Sequence, residues 1–149
     1  MTVSSNSPQM GAAFDPTRDL NFTGQLDVVQ LQNSSPTGRM GFATGSGGAV
    51  TQSTSKATAV TLNTACGQIT MNNASLNAAT IVSFTLTNTA IAATDVLVLN
   101  HISGGTIGAY TLNAQAAAGS ATINVRNNTA GALAEAIVIQ FVVIKAVNA

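Results

Sequence analysis

One histidine, one cysteine and five carboxylates are all that the chain offers for acid–base, nucleophilic or metal chemistry beyond its lysines and hydroxyls. His101 could act as a general base toward one of many Ser or Thr hydroxyls, with Asp95 orienting it. The two lie six residues apart in one apolar run. On a strand that spacing separates them by about 20 Å. No Gly-x-Ser-x-Gly elbow is present to present a nucleophile. The plainer reading of His101 is a strand-end side chain packed in a core or a subunit interface.

Cys66 is alone, so no disulfide framework exists. A reactive thiol needs a basic neighbour, and Lys56 is the nearest in sequence. A small buried apolar role fits Cys66 better. One Cys, one His and scattered carboxylates do not make a zinc site. The carboxylates are Asp15, Asp19, Asp27, Asp95 and Glu135. A glycosidase needs two of them facing each other across a cleft, usually beside aromatic platforms. Asp95 and Glu135 read as turn or strand-edge residues, and of Tyr110, Phe84 and Phe141 the last two read as core. Gly45-Ser46-Gly47 lacks the preceding strand, further glycines and lysine of a phosphate loop. The expectation is a protein with no catalytic, cofactor or metal site.

Composition narrows the class further. Charged residues make up 7% of 149 and the formal net charge is zero, against roughly 25% charged in an ordinary domain. Five basic residues balanced by five acidic ones cannot form the stripe that displaces counterions, so nucleic acid is not an expected partner. The most apolar run, Ala136–Val147, contains Gln140 and Lys145 and is far shorter than the roughly 20 residues of a membrane span. The start, MTVSSNSPQM, lacks the basic and apolar regions of a signal peptide. Asn-x-Ser/Thr triplets at Asn21, Asn33, Asn73 and Asn127 are expected by chance in a chain this rich in those residues. A neutral surface promotes association, so the chain is expected to work inside an assembly.

Two zones position these residues. Residues 1–48 hold all three prolines and five of the ten charges. Proline fixes φ and removes a donor, which argues against a long helix or central strand. This zone reads as an extended arm whose apolar anchors and one cation are Phe14, Arg18, Leu20, Phe22, Leu26, Val28, Val29 and Leu31. A short helix or a short strand fits Leu20–Leu31 equally. Thr44–Gly48 reads as a Gly-rich hinge.

Residues 49–149 contain no proline. Eight strands are expected at Ala49–Gln52, Thr58–Asn63, Gln68–Asn72, Thr80–Asn88, Asp95–His101, Gly108–Asn113, Ser120–Asn127 and Ala136–Lys145. Val82, Phe84 and Leu86 alternate with Ser83, Thr85 and Thr87, the pattern of half-buried antiparallel strands. The Ala-rich stretch Asn113–Gly119 has room for one helical turn. Strand spacing near ten residues predicts an all-β antiparallel sandwich or jelly roll.

Two strands are apolar on both faces. Val96 and Val98 oppose Leu97 and Leu99; Ile137, Ile139, Phe141 and Val143 oppose Val138, Gln140, Val142 and Ile144. A small sandwich has one inside, so the second face is expected to meet another subunit or the arm. The expected subunit interface is Leu97, Leu99, His101, Val138, Gln140, Val142 and Ile144.

The run Gly48–Asn63 (GAVTQSTSKATAVTLN), followed by Cys66–Met71, Val82–Asn88, Val98–Asn100 with Ser103-Gly104, and Gly108–Tyr110, resembles a module of tailed-bacteriophage virion proteins. It covers roughly residues 48–146. The resemblance implies a trimeric β-sandwich of the kind found in head decoration or cement proteins, head fibres and tail fibres. It implies no catalytic residues. A tail fibre usually carries a long shaft, and 149 residues without a shaft repeat favour decoration. The expected partners are two further copies of the chain and the major capsid protein, on the outer surface of the capsid, with the arm as clamp. The competing expectations are a receptor-binding fibre tip using loops Asn88–Thr94, Ser103–Thr106 and Asn127–Ala132, an enzyme, and a monomeric carbohydrate-binding sandwich.

Overall fold

A computed structural model describes residues 36–37 and 41–147. The proposed anchors Phe14, Arg18, Leu20, Phe22, Leu26, Val28, Val29 and Leu31 lie outside the described residues. Residues Phe42–Ala149 form a compact unit of their own.

The strands are β1 (Gly48–Thr51), β2 (Val60–Thr61), β3 (Cys66–Thr70), β4 (Ile81–Thr87), β5 (Val96–Ser103), β6 (Tyr110–Ala117), β7 (Ser120–Asn127) and β8 (Val138–Ile144). They build two four-stranded sheets, ordered β1-β3-β8-β5 and β2-β4-β7-β6. The sheets pack face to face as a β-sandwich, and the described residues contain no helix. The strands alternate between sheets until β6 and β7, which form an antiparallel pair within the second sheet.

The expected antiparallel pairing holds for β3–β8, β5–β8, β4–β7 and β6–β7. It does not hold for β1–β3 and β2–β4, which are parallel. Each of the first four strands crosses to the other sheet. Two successive crossings restore the original direction, so strands two apart in sequence order meet in parallel. The Ala-rich stretch is strand and not a helical turn: β6 runs on to Ala117, and Gly119, at φ +73°, turns the chain into β7. Three consecutive partners of β7 hold it there: Gln115↔Thr122, Ala116↔Ala121 and Ala117↔Ser120.

Period-2 patterning fills the core. Phe84 and Leu86 of β4, Ala121, Ile123 and Val125 of β7, and Ile139, Phe141 and Val143 of β8 are buried, with Ile69 and Met71 beside them. Phe141 lies between Gly67 and Leu99 in the first sheet. A Cβ at Gly67 would stand 3.0 Å from the Phe141 ring and 2.9 Å from the Gly48 carbonyl. The missing side chain is what lets a full aromatic ring enter there.

The expected hinge is a turn only in part. Ser46 donates its N–H to the Ala43 carbonyl, and Gly45 takes φ +89°. Gly47 instead lies over Cys66, and Gly48 sits in β1 against Leu62.

Candidate functional site

The pairing register corrects the expected interface. Leu97, Leu99 and His101 of β5 pair with Val143, Phe141 and Ile139, and so share the inner face. Leu97 and Leu99 pack on the core. The outward residues of β5 are Val96, Val98 and Asn100, paired with Ile144, Val142 and Gln140. Sequence alternation showed that β5 has two apolar faces. It could not say which turns inward, because Val96/Val98 and Leu97/Leu99 are nearly equal in hydrophobicity. Val138, Gln140, Val142 and Ile144 do face outward, as expected.

The outer face of the first sheet is therefore Val96, Val98 and Asn100 on β5; Val138, Gln140, Val142 and Ile144 on β8; Cys66, Gln68 and Thr70 on β3; and Ala49 and Thr51 on β1. None of these described residues is charged. Val96, Val98 and Ile144 are 52%, 50% and 50% exposed. Covering side chains already half buried is worth about 1 kcal/mol each. The outer face of the second sheet is its opposite in character. It carries Ser83, Thr85 and Thr87 on β4, Thr122, Asn124 and Arg126 on β7, and Thr111, Asn113 and Gln115 on β6, with Ile81, 56% exposed, at its edge beside Arg126. Ser83 bonds to Asn124 at 2.6 Å, and Asn124 to Asn113 at 2.6 Å. One face of the sandwich is mostly Thr and Asn and internally bonded; the other sets valines and an isoleucine around three amides, with no charged residue among those named.

A second cluster sits at the end of the sandwich where β5 hands over to β6. Here Asn100–Ile102, Gly104, Ile107 and Tyr110 line an open recess of about 500 Å³. Glu135 organises it. Its carboxylate accepts from the Thr106 N–H at 2.9 Å, the Thr106 hydroxyl at 2.6 Å and the Tyr110 hydroxyl at 2.7 Å. The Thr106 bonds, with that from Tyr110, hold Glu135 below the usual carboxylate range. Burial and the Glu135 charge push the Tyr110 phenol up, so both stay in their ordinary forms. The His101 ring meets Tyr110 edge to face, with centroids 5.8 Å apart. Its Nε2 faces the carbonyls of Ser103 at 3.0 Å and Gly104 at 2.5 Å. Both partners are acceptors, so the bonding suits the tautomer with the proton on Nε2, which donates to them. Lys56, read above only as the base nearest Cys66, is buried and donates to the carbonyls of Asn72, at 2.6 Å, and Glu135. Burial lowers its pKa, opposed by Glu135.

These groups hold loops. Asp95 stands just before β5 and His101 near its far end, so the two form no dyad. The Asp95 carboxylate is taken by the Ala92 N–H at 2.7 Å and by Lys145 at 2.5 Å, the one ion pair among the described residues. Those bonds hold it low as well, the Ala92 N–H contributing most. No group of three or more potential metal ligands occurs among the described residues. Asn127 is fully buried and is no candidate for glycan attachment.

Stability in acid follows from the two carboxylates. Each titrates lower when folded than its ordinary value, 4.5 for Glu135 and 3.8 for Asp95. Their contribution is complete above the ordinary values and is lost as pH falls through the folded ones. Thermal melting midpoints are expected to stay level from neutral pH to about 5 and to drop steadily below that. Glu135→Gln should lower the midpoint at neutral pH and shrink the acid drop. An unchanged midpoint from neutral to strongly acidic pH would contradict this.

No family model, curated protein or solved structure matches the chain.

Proposed function

We propose that this chain is a decoration or cement protein of a tailed-bacteriophage capsid. In this reading it forms a homotrimer, binds the outer surface of the major capsid protein shell, and stabilises the head. The observation that carries the reading is the contrast between the two outer faces of the sandwich. A bonded Thr/Asn face suits water, and an uncharged valine and isoleucine face suits another protein. The resemblance of residues 48–146 to virion modules supports the same class. The mechanism is physical. Copies join through apolar faces, and residues 1–41 of each copy attach to the shell. Linked attachments raise effective concentration, so modest contacts sum to tight binding. Bridging neighbouring shell subunits would resist the pressure of packaged DNA. Binding of the purified chain to bare shells tests it: saturable uptake at many sites per shell supports the reading, and no uptake contradicts it.

A further inference from the structure

Three side-chain amides form a row across the middle of the apolar face. Asn100 of β5 pairs with Gln140 of β8, and Gln140 with Gln68 of β3. Neighbouring strands stand about 4.8 Å apart, so the three amides are close neighbours. None of them makes a hydrogen bond, to one another or to any other described residue. The comparable row on the other sheet, Ser83, Asn124 and Asn113, is closed by two bonds of 2.6 Å. On one side the row of amides lies against Val98 and Val142. On the other stand Val138 and Thr70.

An apolar strip crossed by unpaired amides asks for a particular kind of partner. A purely apolar surface, a lipid included, would bury the amides without partners, and a buried polar group left unsatisfied opposes association. A charged partner would find no counter-charge anywhere on the face. An amide carries both a donor and an acceptor, so it is its own complement. A face with no charge also meets its own copy without repulsion.

We propose that the occupant of this face is the same face of the other two copies, the three faces meeting around the trimer axis, with Asn100, Gln140 and Gln68 bonding across the seam to amides of the neighbouring chains. The valines and isoleucines supply affinity, and the row of amides fixes register, since any slip leaves amides against valines. The inference rests on the homo-oligomer of the proposed function and names its seam. It does not depend on what the assembly binds.

The test is sedimentation velocity of the full chain and of Gln140→Glu between pH 7 and pH 3.5. The wild type is expected to sediment as an oligomer at both. The introduced carboxylate is acceptor-only and charged at pH 7, so the variant should dissociate there, its association weakened at least about 100-fold. It should reassociate as the acid protonates below its ordinary pKa of about 4.3. Asn124→Asp, on the wet face, should leave association unchanged. A monomeric wild type overturns the inference, as does a Gln140→Glu variant that associates like wild type at pH 7. Shell binding by a monomer would retain the capsid reading and reject the seam. An oligomer sensitive to Gln140→Glu that ignores shells would retain the seam and reject the capsid reading.

Discussion

Asn127→Asp is expected to destabilise the sandwich by on the order of 3 kcal/mol, and at neutral pH by more than Asn127→Ala does. The exchange is nearly isosteric, so the size of the effect comes from lost donors and an added buried charge, not from shape. The Asn127 amide nitrogen donates to the carbonyls of Leu76 at 3.0 Å, Asn77 at 3.2 Å and Gly131 at 2.8 Å. Its oxygen accepts from the N–H of Thr129 at 2.9 Å and the hydroxyl at 2.8 Å. The residue is fully buried at the end of β7. It ties the loop after β7 to the segment before β4, where Leu76 and Leu133 bridge. A carboxylate keeps the accepting half and turns its second oxygen on three carbonyls. Alanine leaves the same carbonyls without a donor but adds no charge. Urea unfolding of the three proteins ranks them directly. Aspartate more stable than alanine at pH 7 would show that the accepting half matters more than the donating half.

Removing residues 1–41 is expected to abolish most shell binding while leaving the sandwich folded. Residues Phe42–Ala149 form their own compact unit, so thermal melting of the shortened chain should match that of the parent. The binding argument is one of linkage. If several attachment segments of one oligomer hold the shell together, each raises the local concentration of the next, and avidity can exceed a single affinity by about 10²–10⁴-fold. Losing all of them should therefore reduce occupancy at least about 100-fold at fixed concentration. Shell pelleting at several protein concentrations reads this. A shortened chain that decorates as well as the full one would place the capsid contact on the sandwich.

Much of the fold could be read from alternation, because the second sheet follows it nearly throughout, Ile81 at the start of β4 being the exception. Val82, Phe84 and Leu86 point in, Ser83, Thr85 and Thr87 point out, and the span Ser120–Asn127 is the strand observed. Composition misled at Asn113–Gly119, where alanine suggested a turn of helix and the ladder to β7 prevailed. The facing of β5 could not be read from its own residues, since valine and leucine alternate there. Only its register with β8 settles it. The bonding role of Glu135 was also hidden. Its partners Thr106 and Tyr110, in the crossing from β5 to β6 and at the start of β6, lie 29 and 25 residues away in sequence, on the far side of the β6–β7 hairpin. Lys56 was hidden for the same reason, as one of its carbonyl partners lies 79 residues away. A lysine in a Thr/Ser-rich run gives no local sign that its ammonium will be buried.

The central claim, a shell-decorating role, is tested most directly by the number of copies in purified virions. The proteins of purified particles would be resolved and this chain quantified against the major capsid protein. The decoration reading predicts a ratio approaching that of the shell protein. A handful of copies per particle would instead mark a fibre and move attention to the loops at 88–94, 103–106 and 127–132. Complete absence from the particle would contradict both.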